Sequence, residues 1–562
     1  MATPPSDVNY TFSDAELEQL APYGEVRSHA AGDTLTAEGD AQSDLLITLS
    51  GETHITVELA DGPKRVGYME RGQFAGDITV LTGQSALART TMGAAGDVMH
   101  IPFDRFQRLL VENSALSDVF VRTLTARREF GRTAGNASTI VIGPARDRTV
   151  FMARDLMSKH GIPHVWLDPD TDAAAPALME TRGVAAGDLP VVLRGLSDVL
   201  VRPSVNDISR AFGLDLLPDG ACADVIVVGA GPAGLAASVY AASEGLSVLT
   251  LDTEGPGGQA GTSSKIENYL GFPTGVSGRE LAERAAIQAQ KFGVRIASPV
   301  KAASLEQEGE TYCMGLTDGR KLKAKAVVVA TGAQYRRLPI DNLERYEGRG
   351  IYYGATPMEA QLCGGQEVAI VGAGNSAGQG AVFLAQTAKA VHVVYRRANI
   401  RETMSEYLVR RLEETPNIHL HPEKEIKALS GIEGAGPDED RLTATTFVDV
   451  GSGEETTYPT GFVFLFIGAA PFTRWLPETV ARDGRDFLKT GTDVGNLELV
   501  KAGWTLDRMP TRYETNWPRV YAVGDVRTGS VKRVASAVGE GSVVVSDVHA
   551  ALAALTERQD AP

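Results

Sequence analysis

Gly229, Gly231 and Gly234 stand at the spacing GxGxxG, and a carboxylate, Asp252, follows 21 residues after Gly231. Such a set can hold a dinucleotide. Gly229 permits a tight turn, Gly231 lets backbone amides reach a pyrophosphate, and Gly234 lets a helix lie close on a strand, while Asp252 offers an acceptor to a ribose hydroxyl. A second set comes later: Gly372-Ala373-Gly374-Asn375-Ser376-Ala377. Here arginines stand in place of the acid, Arg396 and Arg397, with Arg401 four residues on. An acid accepts from a free 2′-hydroxyl, whereas arginines pair with a 2′-phosphate, so the two units are predicted to take different dinucleotides.

These residues work only if strands and helices present them. Residues 225–228 are an apolar run of the length of a buried parallel strand, Pro232 and Ala233 lead into a helix over 235–243, and an apolar strand over 246–251 ends at Asp252. The helix N-terminus then faces the phosphates. The second unit repeats the order, with a strand over 367–371, a helix to about 387 and a strand over 390–394.

The chain has 562 residues, 60 of them glycine, and 54 Lys and Arg against 71 Asp and Glu, a net charge of −17. Its length suggests about three or four domains. The acid excess, with no basic stripe to offset it, argues against nucleic acid and anionic membrane as partners. Residues 1–7 have neither a basic start nor an apolar core, and the most apolar run, 461–472, is too short to span a bilayer, so a cytoplasmic location is expected. Cys222, Cys313 and Cys363 lie 91 and 50 residues apart, which allows no disulfide framework, CxxC pair or zinc spacing.

Regular glycine turns up to about residue 130, at Gly32, Gly39, Gly51, Gly62 and Gly72, predict a β-roll, and helical spacing takes over at 103–130. The order resembles a cyclic-nucleotide-binding domain, with Phe74-Ala75-Gly76-Asp77 through Ala88-Arg89-Thr90 as its phosphate cassette. That resemblance implies an acid on the ribose and an arginine on the cyclic phosphate. Here the acid is the shorter Asp77, and Gln84, Ser85 and Ala86 take the arginine's place, with Arg89 a few residues later. A buried phosphate without a guanidinium loses its strongest charge-assisted hydrogen bonds, so the expectation is a kept fold with weak or no cyclic-nucleotide binding.

After a polar joint at 131–138, strands at 139–142, 164–167, 191–193 and 199–201 alternate with helices at 148–160, 173–182 and 204–212. That order resembles thioredoxin or glutaredoxin, with Pro190 where the family places a cis-proline. Gly143-Pro144-Ala145-Arg146-Asp147, after the first strand, contains no cysteine, so dithiol exchange is excluded and a docking or structural role is expected.

Beyond the first fingerprint come Gly257-Gly258-Gln259, Asn268-Tyr269, Thr331-Gly332-Ala333 after an apolar strand at 327–330, and Val523-Gly524-Asp525 ahead of a helix at 535–545. In this order they resemble the low-molecular-weight thioredoxin reductase family from Ala223 to the C-terminus. The resemblance implies FAD in the first unit and NADPH in the second, Asp525 on the flavin side of FAD, Gln259 and Asn268 lining its ring, and Arg533-Val534-Ala535 closing over it. It also implies a homodimer. The family's CATC-type dithiol would follow a Tyr just ahead of the second fingerprint, where this chain has Tyr352-Tyr353-Gly354-Ala355-Thr356-Pro357. Gly354 and Pro357 stand at the cysteine positions, and neither can attack a disulfide. Cys363, nearby but unpaired, reads as a small buried hydrophobe.

The expected architecture is α/β: two Rossmann-like three-layer nucleotide-binding domains, for FAD and NADPH, preceded by a β-roll plus helix domain and a small thioredoxin-like α/β domain. Its expected boundaries are 1–135 for the cyclic-nucleotide-binding-like domain, 138–217 for the thioredoxin-like domain, 222–338 and 463–562 for the two FAD parts, and 339–462 for the NADPH domain. The expected function is oxidation of NADPH through FAD, with a small-molecule or protein electron acceptor and no metal. Two alternatives stand beside it: true thioredoxin reduction through a thiol such as Cys363, and a non-enzymatic NADPH- and FAD-bound sensor or scaffold.

Overall fold

The computed structural model describes residues 8–559 other than 42, 60–61, 134–138, 196–197, 264–265, 267–268, 341, 356 and 433–439. Asn268, Thr356 and most of the expected joint at 131–138 therefore lie outside the described residues.

Val225, Ile226, Val227 and Val228 are all buried, as a parallel strand covered on both faces requires. Their strand, Cys222–Val228, is central in a seven-stranded sheet ordered Arg295–Ala297, Val248–Leu251, Cys222–Val228, Lys321–Val329, Thr311–Leu316, Ala302–Glu308. Val520–Ala522 adds to Lys321–Val329 in parallel, so the first nucleotide unit is completed by the far end of the chain. The helix expected at 535–545 runs on as Val534–Gln559, 26 residues. Val534–Glu557 is long and apolar enough to cross a membrane by length and composition. Here Ala537, Val544, Val545 and Val548 share a buried cluster with Ala233, Ala237, Val239 and Ala241 of helix Pro232–Ser243, so part of that apolar surface covers the sheet.

The second unit is a parallel sheet ordered Ile351–Tyr352, Phe462–Leu465, Glu367–Val371, Ala390–Tyr395, Ile418–Pro422, with an antiparallel sheet of Lys424–Ile432, Arg441–Asp449 and Glu455–Tyr458. The two passages between the units pair as an antiparallel ribbon, Ala333–Tyr335 with Ala469–Pro471. Because Phe462–Leu465 pairs inside the second sheet, we propose that the return crossing lies at this ribbon rather than at 462/463.

At the N-terminus, two antiparallel four-stranded sheets are followed by helices Phe103–Glu112 and Ser114–Thr133. The helical stretch expected at 103–130 is broken at Asn113, whose side-chain oxygen accepts from the Leu116 amide at 3.1 Å. Phe106 and Phe120 meet across that break with ring centroids 5.0 Å apart. The next unit orders its strands His164–Leu167, Thr139–Ile142, Val191–Arg194, Asp198–Val201, the first pair parallel and the others antiparallel, and the Leu189–Pro190 peptide is cis.

This small unit touches all three others. Gln84 donates to the His160 carbonyl at 2.9 Å and the Ser85 amide to the Phe212 carbonyl at 3.1 Å, and Gln84, Ser85 and Ala86 are buried. Its helix Arg148–Lys159 begins at the second nucleotide unit, with Phe151 packed 5.6 Å from Tyr352 and Arg146, just ahead of it, 5.2 Å from the Phe462 ring. It ends at the first, where Lys159 Nζ lies 2.8 Å from Glu254 Oε2.

The cassette tip, lacking an arginine, is thus occupied by contacts with the thioredoxin-like unit. Cyclic AMP and cyclic GMP should show no micromolar binding in calorimetry; tight binding that Arg89→Ala removes would contradict this.

Candidate dinucleotide and electron-transfer site

The strand Cys222–Val228 runs into Gly229, where φ is 111° and a Cβ would lie 2.3 Å from the Ala330 carbonyl oxygen. A Cβ on Gly234 would lie 1.8 Å from the Gly229 carbonyl oxygen. Both glycines are therefore demanded by the packing of the fold itself. Gly231 is different. It caps helix Pro232–Ser243, and a Cβ there would meet nothing nearer than the Gly258 Cα at 4.0 Å. The open space lies at a helix N-terminus, where the first amides have no partner within the helix, which suits an anionic ligand.

Around this helix start the chain gathers residues distant in sequence. The Gly257 amide donates to the Ala230 carbonyl at 2.8 Å, which sets Gly258 opposite Gly231. Gly524, with φ of 72°, lies so close to Ala233 that a Cβ would come within 2.8 Å of the Ala233 Cβ. Asp252 accepts from the amides of Ala230, Glu254 and Gly255 at 2.7, 2.8 and 2.9 Å. Burial pushes its pKa above the ordinary carboxylate value, and the three amides oppose that shift. Burial also raises Asp525, against the pull of Lys532, whose Nζ is 2.5 Å from the Asp525 carbonyl oxygen. Thr331 Oγ1 donates to the Phe472 carbonyl at 3.1 Å, beside the turn at Gly332. The Gln259 side chain donates to the Ala333 carbonyl, while Arg533 and Ala535 are exposed at the start of helix Val534–Gln559. Sequence reasoning missed Glu540, which accepts from the Gly524 amide at 2.7 Å and pairs with Arg527 at 2.6 Å. It carries no motif spacing that would have marked it.

In the second unit Gly374 caps helix Asn375–Leu384 and a Cβ there would meet nothing within 4 Å, the same opening as at Gly231. Gly372 packs on the Phe466 carbonyl, and Ala377 is buried beneath the turn. Asn375 accepts from the Ser405 amide at 2.8 Å and Ser376 is exposed. Arg397 pairs with Glu402 at 2.9 Å, Arg401 with Glu413 at 2.9 Å, and Arg396 approaches Glu425 at 3.7 Å. These exposed pairs are worth about 1 kcal/mol or less each, so a phosphate dianion can displace them.

At the expected dithiol position, Tyr352 stacks on Phe464 with centroids 5.5 Å apart, and Tyr353 Oη donates to Glu347 at 2.5 Å. A Cβ on Gly354 would lie 3.2 Å from the Thr262 Cβ, so this segment rests against the first unit just after helix Gly258–Gly261. Pro357 is exposed and starts helix Pro357–Leu362. All three cysteines are free, Cys313 buried and Cys222 exposed. Cys363 has no exposed surface, and burial pushes its thiol up to about 11. A group held so far from its thiolate is a poor nucleophile at neutral pH. Among the described residues no cluster of three or more His, Cys, Asp or Glu is placed to hold a metal.

The family described as Pyridine nucleotide-disulphide oxidoreductase matches residues 223–541, more than half of the chain, and the protein belongs to it. The Cyclic nucleotide-binding domain family matches residues 26–113. Thioredoxin reductase of Bacillus subtilis (strain 168) is 29% identical over 327 residues, covering 58% of this chain and 93% of its own. The solved thioredoxin reductase of Lactococcus lactis, in its FR conformation, superposes with a TM-score of 0.51 at 26% identity over 59% of this chain and 99% of that one. For T. acidophilum thioredoxin reductase the TM-score is 0.50 at 28% identity, over 58% and 98%. The protein is thus an NADPH-dependent flavin oxidoreductase of the thioredoxin reductase-like fold, with FAD and NADPH as its cofactors. The openings at Gly231 and Gly374, each at a helix N-terminus, fit two dinucleotides.

Two outcomes follow from this geometry. Gly231→Val places its side chain in open space, so the protein should melt within a few degrees of the parent yet purify colourless; retained yellow FAD would contradict the placement. Arg396→Ala/Arg397→Ala should lower the preference for NADPH over NADH by at least about tenfold and leave NADH kinetics nearly unchanged. Equal use of both nucleotides by the parent enzyme would sink that assignment.

Proposed function

We propose that this protein oxidises NADPH through FAD and passes the electrons directly to a small-molecule or protein acceptor, without a dithiol of its own. The observation that carries this reading is the pair Gly354 and Pro357 at the dithiol position, with Gly354 resting against Thr262 beside the first cradle. FAD, when bound, supplies the two-electron relay between nicotinamide and acceptor. The chain's own residues bind and orient. Gly229, Gly231 and Gly234 with Pro232 and Ala233 would present helix amides to the FAD pyrophosphate, Asp252 would take the ribose, and Asp525 would hold the flavin side. Gly258, Gln259, Thr331, Gly332 and Gly524 would line the ring end, with Arg533-Val534-Ala535 closing over it. Gly372, Gly374, Asn375, Ser376 and Ala377 would hold the NADPH pyrophosphate, and Arg396, Arg397 and Arg401 its 2′-phosphate.

Burial of Cys363 counts against the alternative of thioredoxin reduction, because delivery to a protein disulfide needs an accessible thiolate and a second thiol to resolve the mixed disulfide. The acceptors that fit are those taking electrons at an exposed flavin edge: a quinone, another flavin, an iron-sulfur protein or oxygen.

Anaerobic NADPH should bleach the flavin absorbance, and quinone or ferricyanide should support steady NADPH consumption, whereas insulin reduction with added thioredoxins should stay at background. The Cys222→Ser/Cys313→Ser/Cys363→Ser variant should consume NADPH at the parent's rate. Robust thioredoxin reduction that this variant loses would overturn the reading, and a protein inert to every acceptor would return the sensor alternative.

A further inference from the structure

We propose that Lys159, on the thioredoxin-like unit, is a positioning residue for the FAD site. The proposal rests on the reading of Asp252 as the acceptor for the FAD ribose.

Two loops flank Asp252. The first, Thr253-Glu254-Gly255, folds over the carboxylate and gives it the Glu254 and Gly255 amides at 2.8 and 2.9 Å. The second follows strand Arg295–Ala297 and brackets Asp252 through its backbone: the Asp252 amide donates to the Ala297 carbonyl at 3.0 Å, and the Val300 amide to the Asp252 carbonyl at 2.7 Å. The thioredoxin-like unit grips both. Lys159, its side chain 13% exposed, places Nζ 2.7 Å from Asp155 Oδ2 on its own helix and 2.8 Å from Glu254 Oε2 across the interface. A Cβ on Gly255 would lie 3.1 Å from the Lys159 Cβ and 3.2 Å from His160 Nε2, so the loop has backbone against the helix end with no room for a side chain. On the second loop, His160 Nε2 is 2.6 Å from Ser298 Oγ, Ser209 Oγ donates to the Ser298 carbonyl at 2.8 Å, and the Ser298 amide donates to the Leu214 carbonyl at 3.1 Å.

The consequence is chemical as well as mechanical. A carboxylate partly removed from water keeps its charge only while donors face it, and two of the three donors to Asp252 come from the loop that Lys159 anchors. Release of Glu254 frees that loop, and Asp252 then offers a less charged, less ordered acceptor to the ribose. Lys159 therefore acts through the Glu254 carboxylate and the two loop amides. A unit without redox cysteines contributes to flavin retention in this way.

The test uses the full chain, stripped of FAD and titrated with FAD by fluorescence quenching. Lys159→Met and Glu254→Gln should each raise the FAD dissociation constant about three- to tenfold, with the NADPH dissociation constant within twofold of the parent. Lys159→Arg, which keeps the charge, should restore most of the FAD affinity. If melting shows Lys159→Met to be unfolded, Glu254→Gln decides alone, since it leaves the Lys159–Asp155 pair in place. Asp252→Asn reports on the underlying reading. Parent-like FAD binding by Asp252→Asn would remove the ribose assignment and this proposal with it. Weakened binding by Asp252→Asn beside parent-like binding by Lys159→Met and Glu254→Gln would overturn the positioning role alone. Equal loss of FAD and NADPH affinity, or no rescue by Lys159→Arg, would mark a general packing defect and also overturn it.

Discussion

The approach of Gly234 to the Gly229 carbonyl oxygen is the constraint on which the first nucleotide unit depends. A single Cβ there would stand 1.8 Å from that oxygen, so helix Pro232–Ser243 can lie on its strand only as glycine permits. On its other side the same helix meets Gly541, where a Cβ would stand 2.1 Å from the Ala233 carbonyl oxygen. The helix is held between the sheet, the C-terminal helix and helix Gly278–Lys291, whose Ala286 packs on Leu235, and its N-terminus lies at the open space beside Gly231. Val520–Ala522 joins the sheet beside Lys321–Val329, and Gly524, just after it, comes against Ala233 of the same helix. Segments about 300 residues apart in sequence are thus brought together by two contacts too close for any side chain.

The thioredoxin-like unit stands in a similar relation to the molecule as a whole. Its 12-residue helix Arg148–Lys159 starts where Phe151 packs on Tyr352 and ends where Lys159 pairs with Glu254. With the ribbon of Ala333–Tyr335 and Ala469–Pro471, this gives the two nucleotide units a second connection besides the chain crossings. The same unit buries the cassette tip of the N-terminal domain, so a surface that in the resembling family faces a ligand here faces protein. Contacts between units occupy Gln84 and Ser85, where the resemblance places a phosphate-binding arginine.

Electrostatics separates the two cradles. Around Asp252 and Asp525 burial works against charge; three backbone amides hold the Asp252 carboxylate, and the positive charge of Lys532 opposes the shift at Asp525. Around Arg396, Arg397 and Arg401 the groups are exposed and already paired with glutamates, so any anion there would have to exchange with a carboxylate rather than fill a bare positive patch. Between them, Tyr352 and Gly354 bring the place of a dithiol against the first unit without a thiol on it.

Much of this was legible in the sequence because it is local. Glycine spacing encodes backbone turns and a run of four apolar residues encodes a buried strand, so the strand, turn and helix of both fingerprints could be read directly. Element ends were less legible. The C-terminal helix continues beyond 545, and the helical stretch at 103–130 breaks at Asn113, where a side-chain hydrogen bond competes with the helix. Only the tertiary structure decided the partners: Glu540 on Gly524, Glu402 and Glu413 on the arginines, Thr262 opposite Gly354, and Lys159 on the loop of Asp252. Periodicity reports on neighbours a few residues apart, whereas these pairs are set by how whole sheets and helices stack, and a lone glutamate or lysine carries no spacing that says which distant loop it will meet.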